Sequence, residues 1–371
     1  MLPYLITFSL SFISYKCALL RVSKYLRIFC LLMCVLIPSF LAGFRDDTIG
    51  WDWRGYGSTI WDLSTHIDNF YHLLSYYPAI EPGYKLINYA VAFISRDFHV
   101  FYFFHQLLLV SIAVTIAFMN RKYRYSETIL LFYLLFLFNP SMTMLRQAVA
   151  MMISFFAFAM WDRHNNKCSY VFSAIACLFH FSAFVAFLIY VISNCKRFLK
   201  KYSPVLLLVF IIVMILLFMG SISVNDLFSQ TLKKMIDLNF VSAHYTGYID
   251  QSDTVSVHKT DVLFQACLIL MILCLPKKNR NKDTCSQIVF LAMSAIVLNM
   301  FGSVTDIAFR LAYYFIPPIA IYIPRVSTID KENQRTCLIF VLLLSLRLFY
   351  FSISNGAENT VPYCSHILGI F

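Results

Sequence analysis

Long apolar runs recur along the whole chain and are separated by short polar or basic segments. A bilayer core about 30 Å thick needs about 20 apolar residues for each helix that crosses it. Runs near that length predict helices over 2–20, 26–44, 99–119, 127–142, 145–161, 203–220, 260–275, 286–301, 309–324 and 336–352. The pattern therefore predicts an all-α polytopic membrane protein, built as a single integral membrane domain over residues 1–371.

Two further apolar segments have ambiguous paths. Residues 83–95 are short enough to form a re-entrant or interfacial half-helix. Residues 168–194 carry His180 in their middle and divide there into two half-length pieces, which would be two short tilted helices or a re-entrant hairpin. With these segments the prediction is about 10 to 13 membrane segments, one or more of them short or re-entrant.

Composition and charge narrow the class of protein. Hydrophobic residues make up 60% of the chain, charged residues only 13%, and the mean hydropathy is +0.71, which excludes an ordinary soluble domain. Basic residues are retained in cytoplasmic loops, and their clusters lie at 16–27, 121–124, 163–167, 196–201, 277–282 and 325–335. Both termini would then face outward. The net charge of +11 is scattered over short loops, so it indicates orientation and anionic lipid contact, not nucleic-acid binding.

Two segments are predicted as larger loops on the outer, periplasmic side. The loop 45–82 mixes Asp, Trp, Tyr and Gly, a composition suited to sugar hydroxyls. The loop 221–259 contains NDLFSQTLKKMIDLNF, whose apolar residues recur at roughly helical spacing and predict an amphipathic helix on the membrane surface. The eleven cysteines show no metal-ligand spacing, so neither a disulfide framework nor a metal site is predicted.

Several polar residues fall at the outer ends of predicted helices: Arg45, Arg146, His180 and Arg310. Arg146 lies beside Gln147 in LRQAVAMMISFF and has no acidic residue within a helical turn. Charges inside a membrane usually mark a ligand path. Arg45 has the alternative of snorkelling to the interface, and Arg310 that of pairing with Asp306. Because guanidinium groups bind phosphate oxygens bidentately and keep their charge, several arginines at one level favour a lipid-linked diphosphate ligand.

Three further residues are candidates for chemistry, each with a purely structural alternative. His180 in ACLFHFSAF has the alternative of a hydrogen-bonded core histidine. Glu81 in AIEPGYKLI precedes a proline and has the alternative of capping the half-helix that follows. Asp52 in GWDWRGY has the alternative of a turn residue.

The order of FRDDTIGWDWRGY, EPGYKLIN, LRQAVAMMISFF, ACLFHFSAF and FRLAYYF resembles the EpsG-like branch of Wzy-type O-antigen and exopolysaccharide polymerases. The resemblance implies a GT-C-like helical bundle in the bacterial inner membrane that works at the periplasmic face. It implies a glycosyltransferase without metal or cofactor that moves a growing glycan from undecaprenyl diphosphate to a sugar hydroxyl of another lipid-linked repeat. Attack opposite the diphosphate would invert the anomeric centre. Partners would be the lipid-linked oligosaccharide, membrane lipids and a chain-length regulator.

The resemblance also implies roles for particular residues. Those implied to hold the donor diphosphate are Arg146, Arg310 and Arg45, and those implied to contact substrate are Gln147 and Tyr56. The proton of the attacking hydroxyl would be accepted by one of His180, Glu81 and Asp52, a choice that the sequence leaves open. Asp46 and Asp47 directly follow Arg45 and would neutralise it, which argues against a phosphate role for that arginine.

Three other functions remain open. An O-antigen ligase would use the same donor and differ in its acceptor. A lipid-linked oligosaccharide flippase or other transporter would also need many helices and buried arginines, but internal repeats are typical of that class, and the sequence shows none. A membrane acyltransferase would also use a histidine in an apolar helix, but commonly with an acyl donor from the cytoplasm, whereas His180 is predicted on the other side.

Overall fold

A computed structural model describes residues 1–164, 166–194, 282–301, 310–325 and 359–370, with isolated positions between 233 and 350. The chain forms two compact units, one of residues 1–187 with 334–371 and the other of residues 188–333. Apart from those isolated positions, the predicted helices 203–220, 260–275 and 336–352 and the predicted loop 221–259 lie outside the described residues. The single-domain organisation over 1–371 stays a prediction.

Regular structure in the described ranges is helical. In chain order the helices are α1 Leu2–Leu19, α2 Lys24–Gly43, α3 Ser58–His66, α4 Phe70–Ser75, α5 Pro82–Ile94, α6 Phe98–Met119, α7 Glu127–Phe132, α8 Phe138–Thr143, α9 Leu145–Asp162, α10 Asn166–Cys177, α11 Val185–Asn194, α12 Lys282–Phe301 and α13 Ile316–Tyr322. Three of these described helices, α1, α2 and α6, are long and apolar enough to cross a membrane. The prediction of an all-α protein with membrane-spanning helices is therefore confirmed by the helical structure of the described ranges and by the length and composition of these three helices.

Helices α1, α2 and α6 are packed side by side, α1 on α2 and α2 on α6. Helix α2 begins at a polar cap, because the Ser23 hydroxyl accepts the backbone N–H of Leu26 at 3.3 Å. The Ser11 hydroxyl donates to the backbone carbonyl of Cys34 at 2.7 Å, which satisfies a buried polar group where α1 meets α2. Helices α5, α7 and α9 pack against α6, and α7 also packs against α1.

The segment 45–82, predicted as a loop, is partly helical. It contains a π-helical turn, Trp53–Gly57, followed by α3 and α4. Gly50 has φ +99°, and a Cβ there would lie 2.7 Å from the carbonyl oxygen of Met142, so only glycine fits. A Cβ on Gly57 would lie 3.1 Å from a methyl carbon of Leu145. The segment is therefore held closely against the junction of α8 and α9.

The two ambiguous apolar segments resolve as half-length helices. Residues 83–95 correspond to α5, a helix of 13 residues. Residues 168–194 divide into α10 and α11, with a 3-10 turn at Phe181–Phe184 between them. The break falls at His180, whose backbone is extended (φ −160°, ψ 125°), as predicted. The paths of these helices relative to the membrane, re-entrant or crossing, stay predictions.

Residues 359–370 fold back along the end of α2. The Tyr363 hydroxyl donates to the carbonyl of Leu41 at 2.6 Å, and the N–H of Asp46 donates to the carbonyl of Cys364 at 3.1 Å. The N–H of Gly50 donates to the carbonyl of Asn359 at 3.3 Å. This C-terminal strap, residues 359–370, therefore fixes the chain that leaves α2, an arrangement that the sequence did not reveal.

Candidate active site

Glu81 and Arg146 form an ion pair within the first unit. The Arg146 Nη1 donates to Glu81 Oε2 at 2.5 Å and to the carbonyl oxygen of Ala79 at 3.4 Å. The side chains are only 19% and 17% exposed, so water screens their attraction weakly. Glu81 precedes α5 and Arg146 lies in the first turn of α9, so the pair joins two segments that are 65 residues apart in the sequence.

The acidic partner of Arg146 comes from tertiary packing. No acid lies within a helical turn of Arg146, as the sequence shows, yet the structure supplies Glu81 from a distant segment. The Arg146 Nε is buried and has no hydrogen-bond partner among the described residues. Within the described ranges, the guanidinium is therefore neutralised by Glu81 at Nη1, and its Nε donor has no acceptor.

Tyr56 and Asp52 lie on the other side of Arg146. The guanidinium carbon is 4.4 Å from the centre of the Tyr56 ring, within cation–π range. The Tyr56 hydroxyl donates to Asp52 Oδ2 at 2.6 Å. Burial, together with the Asp52 carboxylate, raises the pKa of Tyr56 well above its ordinary value, so the hydroxyl stays protonated and acts as a donor. Two of the predicted acids, Asp52 and Glu81, are thus brought together around Arg146.

The segment between α10 and α11, residues 178–184, contains His180 and contacts Glu81 and the start of α5. The N–H of Phe181 donates to Glu81 Oε1 at 3.2 Å, and the N–H of Gly83 donates to the carbonyl of Leu178 at 2.8 Å. A Cβ on Gly83 would lie 2.7 Å from the Leu178 oxygen, so glycine permits this close approach. The break between α10 and α11 therefore contacts the predicted acid directly.

The surroundings of His180 define which of its nitrogens carries a proton. Its Nδ1 accepts the N–H of Ser182 at 3.2 Å and lies 2.6 Å from the Ser182 hydroxyl oxygen. A nitrogen that accepts a backbone N–H carries no proton, so the neutral imidazole is protonated at Nε2. The Nδ1 atom of His180 is thus engaged by Ser182, and the choice of His180 as the base stays a prediction.

Arg45 is buried and forms no ion pair with any residue that the structure describes. It is 1% exposed, its guanidinium carbon lies 4.0 Å from the centre of the Tyr102 ring, and its Nε and Nη1 have no hydrogen-bond partner among the described residues. The expected neutralisation by Asp46 and Asp47 is not observed. Asp46 accepts hydrogen bonds from the backbone N–H and Nδ1 of His366, at 2.9 and 2.7 Å, and Asp47 is exposed. The C-terminal strap thus binds Asp46, the acid that follows Arg45 in the sequence.

One aromatic cluster lies between the two arginines. Tyr56, beneath Arg146, packs edge to face on Tyr84 with ring centres 5.9 Å apart. Arg45 lies over the ring of Tyr102. Tyr102 and Tyr84 belong to the same buried hydrophobic cluster. The hydroxyls of Tyr84 and Tyr102 have no hydrogen-bond partner among the described residues, although buried polar groups are normally paired. In the part of the chain that the structure describes, unpaired donors therefore lie on both arginines and on the Tyr84 and Tyr102 rings between them.

For two further predicted residues, Gln147 and Arg310, the structure gives the burial of the side chain. Gln147 follows Arg146 and its side chain is buried. Arg310 is half-buried in the second unit, so its grouping with the other arginines stays a prediction. Within the first unit, the predicted residues that contact one another or the aromatic cluster are Arg45, Asp52, Tyr56, Glu81 and Arg146, whereas His180 contacts Ser182.

Two residues that hold the backbone beside Glu81 and Arg146 were not predicted from the sequence. Lys85 of α5 is 1% exposed, and its Nζ donates to the carbonyls of Leu74 and Tyr76 at 3.1 and 2.6 Å, which anchors the turn that presents Glu81. His105 of α6 is buried, and its Nε2 donates to the carbonyl of Leu145 at 2.9 Å, beside Arg146. The position of Lys85 inside an apolar half-helix could have indicated this role, because a buried ammonium group needs hydrogen-bond acceptors.

Comparison with known proteins gives a family. The family model described as "EpsG family" matches residues 4–365, nearly the whole chain. No curated protein and no solved structure matches. The family match confirms the resemblance carried by the ordered motifs, and it fits a membrane protein with a polysaccharide polymerase-like function.

Proposed function

This chain belongs to the EpsG family, and we propose that it polymerises lipid-linked oligosaccharide repeat units into a bacterial cell-surface polysaccharide. The growing glycan is transferred from undecaprenyl diphosphate to a sugar hydroxyl of another lipid-linked repeat, at the periplasmic face of the inner membrane. The observation that carries the proposal is the set of buried guanidinium N–H groups on Arg45 and Arg146 that have no acceptor among the described residues, together with two carboxylates around Arg146.

The arginine donors fit a diphosphate better than a singly charged ligand. Among the described residues, Arg45 offers Nε and Nη1 and Arg146 offers Nε, and each guanidinium lies over a tyrosine ring that belongs to or packs on one aromatic cluster. A diphosphate carries several acceptor oxygens, so its charge can be shared between both guanidinium groups. Such donors act most strongly where water is excluded, and they need no reorganisation as charge develops on the leaving group. In this proposal they replace the positive charge that a metal would supply.

The Glu81–Arg146 pair then becomes a resting state that the donor opens. A diphosphate that binds Arg146 competes with Glu81 for the guanidinium, because both are oxygen anions. Glu81, released from Arg146, accepts the proton of the acceptor hydroxyl. The hydroxyl oxygen forms a bond to the anomeric carbon, the bond from that carbon to the diphosphate oxygen breaks, and the anomeric centre inverts. General-base assistance of this kind contributes about 10²- to 10⁴-fold.

Asp52 and His180 take supporting roles in this scheme. The Asp52 carboxylate already accepts the Tyr56 hydroxyl and so orients the ring on which Arg146 lies. His180 presents Nε2–H as a donor, and its loop holds Glu81 through Phe181 N–H. Glu81 is assigned as the base in this proposal because its carboxylate directly contacts the proposed diphosphate-binding arginine, Arg146.

A charge exchange tests whether the pair is chemical or only structural. Cells that lack the chromosomal gene would carry wild type, Glu81→Gln, Arg146→Lys or the double variant Glu81→Arg/Arg146→Glu at matched membrane levels, and polysaccharide length would be read on a gel. We expect the double variant to fold, because the ion pair is kept in reverse, and to make no long polymer. Full-length polymer from the double variant would contradict the proposal. Loss of even the single-repeat product in the deletion strain would indicate a ligase or a flippase.

A further inference from the structure

A basic cavity lies at the end of α2 remote from the candidate active site. Its volume is about 630 Å³, and its charged lining residues are Lys16, Arg27, Arg121, Lys122, Arg124 and Glu127. Arg27 lies in the first turn of α2, whereas Arg45 follows the last residue, Gly43. At 1.5 Å per helical residue the two arginines are separated by roughly 25 Å, so the cavity is distinct from the candidate active site.

The cavity carries an excess of positive charge. Lys16 Nζ is paired with Glu127 Oε1 at 2.7 Å. Four further cations, Arg27, Arg121, Lys122 and Arg124, line the same cavity, and none of them forms a salt bridge within the described part of the chain. Like charges gathered around one space repel each other, and an anion bound among them relieves that repulsion.

The local backbone and ring contacts hold these cations in place. The guanidinium carbon of Arg121 lies 4.1 Å from the centre of the Phe118 ring, and that of Arg124 lies 5.0 Å from the Tyr125 ring. Tyr125 has φ +69°, a left-handed conformation that is unfavourable for a bulky side chain. Strained backbone of this kind persists where the surrounding structure requires it, and it is concentrated at ligand sites.

The lining also distinguishes a lipid from a soluble anion. The cavity lies where α1 and α6 end and α2 begins, the three described helices that are able to cross a membrane. Ala18, Leu19 and Phe118 line it beside the cations, so apolar surface adjoins the charged groups. A general excess of basic residues on one membrane face explains their number. It does not explain why cations from three separate chain segments surround one cavity.

We propose that this cavity binds the phosphate headgroup of an anionic membrane phospholipid, with the acyl chains lying along the apolar helices. The phosphate oxygens accept hydrogen bonds from the arginines of the 121–124 turn and from Arg27, as in basic pockets between membrane helices elsewhere. This site is independent of the polymerase proposal, because it shares no residue with the Glu81–Arg146 cluster.

The test uses the purified full-length protein in detergent. Thermal unfolding and native mass spectrometry would be followed while phosphatidylglycerol, phosphatidylcholine with the same acyl chains, or inorganic diphosphate is added. We compare wild type with Arg121→Gln/Arg124→Gln. The matched control is Arg21→Gln/Lys24→Gln, which removes two exposed charges from the same end of the helices but from outside the cavity lining. A charge-conserving variant, Arg121→Lys/Arg124→Lys, shows whether the turn tolerates substitution.

We expect phosphatidylglycerol to stabilise wild type, the control pair and the lysine variant, and phosphatidylcholine to have little effect. Removal of two cations that contact the headgroup should weaken phosphatidylglycerol binding by about thirtyfold. Equal weakening in both glutamine pairs would show a diffuse surface charge and overturn the site. Stabilisation by inorganic diphosphate that equals or exceeds that by phosphatidylglycerol would overturn the lipid assignment.

Discussion

The surroundings of Arg146 and Arg45 differ in how each buried charge is balanced. Arg146 is held by the Glu81 carboxylate and the Ala79 carbonyl, and its buried Nε lacks a hydrogen-bond partner among the described residues. Arg45 has the face of Tyr102 and no carboxylate partner in the part of the chain that the structure describes. An anion therefore gains most at Arg45, where it replaces nothing, whereas at Arg146 it must displace Glu81. We infer that Arg45 provides the stronger electrostatic attraction and that Arg146 couples donor binding to the base.

The largest expected effect is that of Arg45→Met. Without the guanidinium, polymer formation should fall by at least about a hundredfold, since a preorganised donor to the leaving group is lost. The folded protein should be as stable as wild type or more stable, because an apolar side chain replaces a buried, unpaired charge. Polysaccharide gels and thermal unfolding in detergent measure the two quantities.

Two controls accompany that variant. Arg45→Lys keeps the charge but not the planar fork of donors, so it should also lose most activity. Arg96→Met changes an exposed arginine and should leave both quantities unchanged. A strongly lowered unfolding temperature for Arg45→Met would show that the arginine is structural and would remove the contrast with Arg146.

Gly83→Ala should produce the next largest effect, on the Arg146 side of the comparison. The new Cβ would meet the Leu178 oxygen at 2.7 Å and push away the loop whose Phe181 N–H holds Glu81. We expect polymerisation to fall by roughly tenfold to a hundredfold, because small misplacements of reacting groups are costly. The matched control is Gly55→Ala, since nothing lies within 4 Å of a Cβ at Gly55. Equal activity of the two alanine variants would show that the position of this loop has no effect on polymerisation.

Tyr56→Phe should have a smaller effect. The ring beneath Arg146 is kept and only the hydrogen bond to Asp52 is lost, which contributes about 1 kcal/mol, or about fivefold in rate if it acts in the transition state. Tyr56→Leu removes the ring as well and should lower the rate further. Initial rates of glycan extension in membranes would measure both. If the leucine variant matched the phenylalanine variant, the cation–π contact would have no part in holding Arg146.

The smallest expected effect is that of His366→Ala, which tests why Arg45 remains without an acid. Burial raises the pKa of Asp46, but the hydrogen bonds from the backbone and ring of His366 outweigh burial and leave that pKa below its ordinary value. Loss of the ring lets Asp46 approach Arg45, so we expect a twofold to threefold lower rate, about half a kcal/mol. His366→Asn keeps a donor and should retain more activity.

The same variant has an expected pH dependence. A carboxylate with a lowered folded-state pKa stabilises the protein above its unfolded pKa, about 3.9, and that stability is lost as the pH falls through the folded pKa. The difference in unfolding free energy between wild type and His366→Ala should therefore be complete at neutral pH and shrink below about pH 4. A difference that grew on acidification would contradict this account of Asp46.

The sequence by itself determined the membrane class and most of the helix positions in the described ranges. Apolar length placed α1, α2 and α6 within a few residues, and the shortness of 83–95 and the interruption at His180 gave α5 and the break between α10 and α11. These features follow from hydropathy and local backbone preference, which depend on neighbouring residues alone. The ordered motifs also indicated the family that the match over residues 4–365 confirmed.

Only the tertiary structure decided how the charges are paired. Glu81 reaches Arg146 across 65 residues, and the adjacent Asp46 turns away from Arg45 because the C-terminal strap, more than 300 residues later, binds it first. The helical content of 45–82 likewise depends on packing against the α8–α9 junction. Electrostatic energy depends on distance and burial in space, and neither is a property of sequence spacing, so the residue types of the site were predictable while their partners were not.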